Sequence, residues 1–130
     1  MKHLERFEPY AYAALRIISG LLFSCHGMQK VLGLFTNHAR PEMWSQIWIG
    51  GVIELSAGLL IAFGLFTRAA AFLASGMMAV AYIQFHWKGA LDEQFLPIVN
   101  DGELSVVYCF LFLLFFFRGA GSVSIDHHIT

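Results

Sequence analysis

Charged residues are scarce in this 130-residue chain. Only 13% of its residues are Asp, Glu, Lys or Arg, against about 25% in an ordinary soluble domain. The net charge of -1 and the lack of any cluster of Lys and Arg exclude a basic surface for nucleic acid. Once the apolar stretches are set aside, too little chain remains for a soluble domain, so residues 1–130 are interpreted as one domain embedded in the lipid bilayer.

Sequence motifs for redox chemistry are also lacking. The chain has two cysteines, Cys25 and Cys109, and they are not spaced as the Cys-x-x-Cys pair of a thiol-disulfide enzyme. No glycine-rich or ligand motif for a flavin, a nicotinamide or a haem is present. If the protein takes part in electron transfer, the electrons must therefore come from a partner protein.

The chain does contain long apolar runs. Hydrophobic residues make up 58% of the chain, and most of them lie in these runs. A helix needs about 20 residues to cross the hydrocarbon core of a bilayer. Four stretches approach that length. The sequence therefore predicts an all-α, integral membrane, four-helix up-and-down bundle with spans at about 10–35, 47–66, 69–87 and 98–117.

The distribution of basic residues predicts the orientation of this bundle. Four crossings place both termini on one side, which then carries the larger share of Lys and Arg, by five to three. Under the positive-inside rule that side is cytoplasmic. The three tryptophans, Trp44, Trp48 and Trp87, fall at the opposite interface, where indole rings are favoured.

A few polar side chains interrupt the apolar runs, and lipid penalises each of them. Helical periodicity of about 100° per residue places them on one stripe of each of the first three spans, facing the interior. By depth, His26, Glu54 and His86 fall in the non-cytoplasmic half and are the candidate catalytic residues. The candidates for contacting a ligand are Arg16, Lys30, Tyr82, Asn100 and Glu103.

Imidazoles and carboxylates can exchange protons near neutral pH. Such a set is suited to a quinone, whose carbonyl oxygens need hydrogen-bond donors and proton sources during reduction. Two other interpretations stay open. The polar groups could only lock helix packing, as Arg16 and Tyr82 could do individually, or they could bind a transition metal through His26, Glu54, His86 and Glu103, although no His-x-x-x-His spacing supports a metal.

Several motifs resemble the DoxX family, in order along nearly the whole chain. They are Leu15–Gly20, His26–Gly33, Gly51–Leu60, Gly64–Ala71, Met78–Tyr82 with His86, and Asn100–Leu104. The resemblance implies a small four-helix protein of the bacterial inner membrane. The family takes its name from a subunit associated with a thiosulfate:quinone oxidoreductase, and some members are linked with oxidative stress or quinone detoxification. Related eukaryotic four-span proteins act as assembly chaperones or cargo receptors.

The leading hypothesis is therefore a quinone-associated oxidoreductase component of the inner membrane. In this hypothesis His26, Glu54 and His86 handle protons, while Lys30 and Glu103 shape the mouth of the site. The expected partners are another membrane or redox protein, or further copies of the same chain. The alternatives are a non-enzymatic assembly subunit and, less favoured, a small proton-coupled exporter.

Overall fold

The computed structural model describes residues 1–130, and every regular element in it is helical. Four helices make up most of the chain, and short helical turns lie between and beyond them. In chain order the elements are α1 (Lys2–Glu5), α2 (Glu8–Val31), α3 (Gln46–Phe63), α4 (Thr67–Ala81, continued by a π-helical segment Tyr82–Trp87), a 3-10 turn (Glu93–Phe95), α5 (Pro97–Asn100), α6 (Glu103–Arg118) and α7 (Ile125–Ile129).

Three of these helices are long and apolar enough to cross a membrane: Glu8–Val31, Gln46–Phe63, and Thr67–Trp87, which is α4 with its π-helical segment. The fourth long helix, α6, has 16 residues, fewer than the roughly 20 that span the hydrocarbon core. The all-helical class predicted from the sequence is confirmed, together with three apolar helices of sufficient length.

The observed helix boundaries differ from the predicted ones at particular residues. Helix α2 ends at Val31 and not near residue 35, because the chain turns through Gly33 with φ of +69°. Helix α3 ends at Phe63 and not at 66, because Gly64 adopts the left-handed conformation of a C-cap. Helix α6 begins at Glu103 and not at 98, because Asp101 adopts a φ of +60° and separates α6 from the short α5.

Helices α2 and α3 are antiparallel and approach each other through glycines. A Cβ atom on Gly20 would lie 2.6 Å from the backbone of Gly58 and Ala62, and one on Gly27 would lie 2.4 Å from the backbone nitrogen of Leu55. Small residues allow helix backbones to come this close, which increases van der Waals contact where lipid offers no hydrophobic driving force. The pair α2–α3 is therefore held at a fixed rotation.

Helices α4 and α6 form the second close pair. Ser75 of α4 donates a hydrogen bond of 2.7 Å to the backbone carbonyl of Cys109 in α6. Between the two pairs lies a core of alanines and aromatic rings, in which Phe112 stands 4.8 Å from Phe23, centroid to centroid. The buried members of this core are Tyr12, Phe23, Ala57, Ile61, Ala70, Ala71, Ala74, Met78, Tyr108, Phe112 and Phe115.

The helices meet at two ends, which we name for what lies there. The terminal end holds Glu8, the α3–α4 turn at Gly64 and the last turn of α6 at Arg118. The loop end holds Lys30, Gln46, Lys88 and Glu103.

At the terminal end Arg16 is fully buried, and its guanidinium donates to the carbonyls of Ile61, at 2.9 Å, and Ala62, which are in the last turn of α3. It also bonds the carbonyls of Ala120 and Val123. The last carbonyls of a helix have no partner within the helix and carry partial negative charge, so a buried cation is stabilised there. Arg16 thus joins α2, α3 and the C-terminal segment.

The start of α4 is capped by a residue distant in sequence. The carboxylate of Asp126 accepts hydrogen bonds from the backbone N–H groups of Phe66 and Thr67, at 2.8 and 2.9 Å. Thr67 is the first residue of the helix, and its N–H is one of those capped. The C-terminal segment is consequently attached to the terminal end and is not a free tail.

Candidate functional site

The loop end contains a buried ion pair. Lys30 Nζ donates to both carboxylate oxygens of Glu54, at 2.7 and 2.8 Å. The glycines of the α2–α3 contact produce this arrangement, because Gly27 and Gly51 let the two backbones approach one turn from the pair. Glu54 is only 3% exposed, whereas the side chain of Lys30 keeps 32% of its surface. The carboxylate of Glu54 therefore lies in the interior, and its charge is balanced by Lys30, which is partly exposed at the edge of the bundle.

His86 reaches the same region from the π-helical segment that continues α4. From Tyr82 to Trp87 the helix is π-helical, and the N–H of Lys88 bonds the carbonyl of Ile83, five residues earlier. π-helical segments are rare, and those that occur are often found at functional sites. The extra residue in such a segment rotates every following side chain by about 100°. The Nδ1 atom of His86 lies 3.3 Å from the backbone carbonyl of Asn100 in α5, which fixes the ring beside the start of α6.

Helix α6 supplies an aromatic wall. The ring of Tyr108 stands edge-on to the imidazole of His26, with centroids 6.4 Å apart, and stacks on Phe112 at 5.2 Å. Tyr108 is 6% exposed. Its phenol and the imidazole of His26 therefore face each other across the α2–α6 interface.

These side chains line a single cavity of about 320 Å³, which we call the polar cavity. A volume of this size is at the lower end of the range of small-molecule sites. Its walls come from α2, α3, α4 with its π-helical segment, α6, and Asp101 in the turn before α6. The lining residues are Phe23, His26, Lys30, Glu54, Met78, Ala81, Phe85, His86, Asp101, Leu104, Ser105 and Tyr108. All three candidate catalytic residues, His26, Glu54 and His86, thus line one space.

Several polar atoms of the residues that line the cavity make no hydrogen bond within the protein. Lys30 bonds Glu54, and His86 uses one ring nitrogen on Asn100. The side chains of His26 and Tyr108 take part in aromatic contacts and in none of the side-chain hydrogen bonds of the molecule. The second nitrogen of His86, the imidazole of His26 and the phenol of Tyr108 can therefore donate to or accept from a bound molecule.

The candidate ligand-contacting residues occupy different places. Lys30 lines the polar cavity, whereas Glu103 lies exposed in the first turn of α6 and does not line it. Arg16 lies at the terminal end, about 15 Å along α2 from His26, where backbone carbonyls surround it. Tyr82 and Asn100 bond each other at 3.1 Å and lie behind His86, where Asn100 supplies the carbonyl contact.

Three polar wall residues were not among the predicted site residues: Asp101, Ser105 and Tyr108. A signal for them exists in the sequence. Together with Phe112 they are spaced by four, three and four residues, which is one face of a helix. The apolar character of residues 104–117 hid this face, since only two of its four members are strongly polar.

The structure offers no arrangement of donors for a metal ion. No three side chains among His, Cys, Asp and Glu come close enough together to hold one. The polar groups that line the cavity can form hydrogen bonds and exchange protons.

Comparison with known proteins agrees with this architecture. The model of the DoxX family matches residues 11–87, which carry α2, α3, α4 and its π-helical segment, and so include His26, Lys30, Glu54 and His86. The chain belongs to the DoxX family. A relative from Haemophilus influenzae, described as an uncharacterized protein, is 40% identical over 130 residues, covering 98% of this chain and 96% of its own length. No solved structure matches the chain.

DoxX membership and the three apolar helices together indicate a membrane protein. The part of the chain matched by the DoxX model ends at Trp87, the last residue of the π-helical segment. The α6 wall of the polar cavity, with Tyr108, lies outside the matched residues.

Proposed function

We propose that this DoxX-family protein binds a quinone in the polar cavity and exchanges protons with it, as the membrane component of an oxidoreductase whose electrons come from a partner redox protein. The observation that carries the proposal is the single cavity into which His26, Glu54 with Lys30, His86 and Tyr108 project. Each has a polar group that can bond a carbonyl oxygen or move a proton.

Reduction of one quinone to one quinol takes up two electrons and two protons. His26 and His86 are suited to the protons, because an imidazole ring carries both a donor and an acceptor nitrogen and the two rings line the cavity from different helices. Lys30 and Tyr108 are suited to donate hydrogen bonds to the two carbonyl oxygens. Asp101, at the edge of the cavity, is placed to return protons from water at the loop end.

This proposal includes a membrane arrangement. We infer that α6, together with the preceding α5, crosses the bilayer as a fourth span and completes an up-and-down bundle in the inner membrane. The antiparallel order of α2, α3, α4 and α6 supports this, because α6 starts at the loop end and returns to the terminal end. Lys2, Arg6, Arg68 and Arg118 lie at the terminal end, which supports a cytoplasmic location for that end.

The proposal is tested with the purified protein and a soluble quinone carrying no side chain. Glu54→Gln and His26→Ala are expected to weaken quinone binding at least about tenfold, because each removes a polar wall group. His127→Ala, at the terminal end, is the matched control and should bind as the wild type does. Wild-type protein that binds no quinone, or variants that bind as well as wild type, would overturn the proposal.

One observation favours a second function, that of an assembly subunit. Glu54 is already paired at two oxygens with Lys30, which is what a packing lock between α2 and α3 requires. In this case the apolar residues that α6 exposes, such as Val107 and Phe110, would contact another membrane protein. A co-purifying partner that is lost in Val107→Ser and kept in Glu54→Gln would favour this function.

A further inference from the structure

A second cavity lies beside the polar cavity, between α3 and α4. It has a volume of about 400 Å³, and most of its lining is apolar, with Ile47, Ile53, Leu73 and Val80 among its walls. We call it the α3–α4 groove. Ile47, Leu73 and Val80 are well exposed, so the groove opens on the outer face of the molecule that the bilayer would cover.

Two glycines keep this groove open. A Cβ atom on Gly76 would meet nothing within 4 Å, and one on Gly50 would meet only the end of Met77, at 3.4 Å. The glycines between α2 and α3 differ, because there the backbone of the opposite helix occupies the place of the missing side chain. Gly50 and Gly76 therefore leave space and do not bring two backbones together.

The groove is continuous with the polar cavity. Lys30, Glu54, Ala81 and Phe85 line both. Along α4 the groove extends from Phe72 to Phe85, about 20 Å at 1.5 Å per residue. A molecule lying across both spaces would have a polar head among the histidines and an apolar chain between α3 and α4.

The charges at the junction favour a neutral head group. Lys30 and Glu54 neutralise each other, and Glu54 is the more buried of the two. A phosphate placed there would lie beside a buried carboxylate and be repelled. A ring with carbonyl oxygens could accept a hydrogen bond from Lys30 without such repulsion.

We propose that the α3–α4 groove holds the hydrocarbon chain of a membrane quinone whose ring occupies the polar cavity, and that the ring reaches the cavity from the bilayer by this route. This inference rests on the proposed function. It adds the substrate class, a quinone with a long apolar chain, and it identifies Gly50 and Gly76 as residues that determine specificity for that chain.

The experiment compares two quinones with the same ring, one without a chain and one with a ten-carbon chain, on purified protein in lipid nanodiscs. Gly76→Leu fills the groove from a position with free space. It is expected to weaken binding of the chain-bearing quinone about tenfold and to leave the chain-free quinone unaffected. Gly50→Leu is expected to do the same from α3. Ala14→Leu, an exposed position on α2, adds the same side chain away from the groove and should change neither affinity.

A photoreactive group at the end of the chain gives an independent readout. Labelled peptides should come from α3 and α4, and unmodified quinone should compete with the labelling. If labelling is spread over α2 and α6 as well, or if Gly76→Leu and Gly50→Leu bind both quinones like the wild type, the groove is not the chain site, and binding of the chain-free quinone still supports the proposed function. If the wild type binds neither quinone, both proposals are wrong.

Discussion

Burial of the Arg16 guanidinium costs free energy, but its hydrogen bonds stabilise the fold. A guanidinium in the apolar interior is unfavourable, yet its planar set of five donors matches several backbone carbonyls at a helix end. Here it bonds carbonyls from the end of α3 and from the segment that follows α6. Arg16 is the donor to the carbonyls of Ala62, Ala120 and Val123, and it shares the carbonyl of Ile61 with the N–H of Gly64, so the residue and its surroundings depend on each other.

We predict that Arg16→Met lowers the free energy of unfolding in detergent by about 3 kcal/mol, because buried carbonyls lose their donor. Arg68→Met is the matched control. Arg68 also bonds helix-end carbonyls, those of Phe116 and Phe117, but it is exposed, so water can replace it. Thermal unfolding of both variants would check this. Equal losses would mean that burial of the guanidinium is not what matters.

Asp126 gives a prediction about pH. Burial raises the pKa of its carboxyl, but hydrogen bonds from the N–H groups of Thr67 and Phe66 and the nearby Arg16 outweigh that, so the pKa lies below its ordinary value. A lowered folded-state pKa means that the carboxylate stabilises the fold above the unfolded-state pKa of about 3.9. That contribution is lost as the pH falls through the folded-state value.

Asp126→Asn should therefore reduce stability at pH 7 by about 1 kcal/mol, because the amide has one acceptor oxygen in place of two and no negative charge at the helix N-terminus. As the pH is lowered from 6 to 3, the difference between wild type and variant should shrink, since protonation removes the same charge from the wild type. Chemical unfolding at several pH values measures the difference. A difference that stays constant with pH would contradict the role given to the carboxylate.

At the scale of elements, the contact between α2 and α3 depends on the absence of side chains. Any Cβ at Gly20 would lie within 2.6 Å of backbone atoms of α3, which cannot move independently of the helix. The two helices would have to separate, and the position of Glu54 relative to Lys30 would change with them. The geometry of the polar cavity is thus set in part by a contact remote from it.

We predict that Gly20→Ala lowers the unfolding free energy by about 2 kcal/mol, the usual cost of an overpacked contact. Gly76→Ala is the matched control, because an added methyl group there meets nothing within 4 Å. This variant should be as stable as the wild type or slightly more stable, since alanine favours a helix. Comparable destabilisation by the two substitutions would show that the close approach is not the cause.

At the scale of the whole molecule, the proposed topology places both termini on the same side of the membrane. This topology requires α6 to cross the bilayer, although α6 has only 16 helical residues. The short α5 and the aromatic residues at the end of α6 would complete the span. With only three crossings the termini would lie on opposite sides.

Labelling with a membrane-impermeant thiol reagent on intact cells distinguishes the two cases. In a background with Cys25→Ala and Cys109→Ala, we expect Leu91→Cys, 98% exposed at the loop end, to be labelled. His3→Cys and Thr130→Cys should react only after the cells are opened. Labelling of one terminus but not the other in intact cells would show that α6 does not cross.

The amino-acid sequence alone determined where the long helices lie and how deep the polar residues sit along them. Apolar runs with a helical period predicted the long helices. Gly64 caps the end of α3, since a glycine is free to adopt the left-handed conformation. The depth of His26, Glu54 and His86 followed from counting residues along helices. Those inferences needed only periodicity and chain length.

The tertiary structure alone decided which of these side chains meet. Rotation of α2 against α3 paired Lys30 with Glu54, and packing of the π-helical segment against α5 brought His86 within 3.3 Å of the carbonyl of Asn100, contacts that helical spacing within one helix does not give. The capping of α4 by Asp126 joins residues about 60 positions apart. Side-chain direction depends on helix rotation and on contacts between distant segments, and these are fixed only when the helices are packed together.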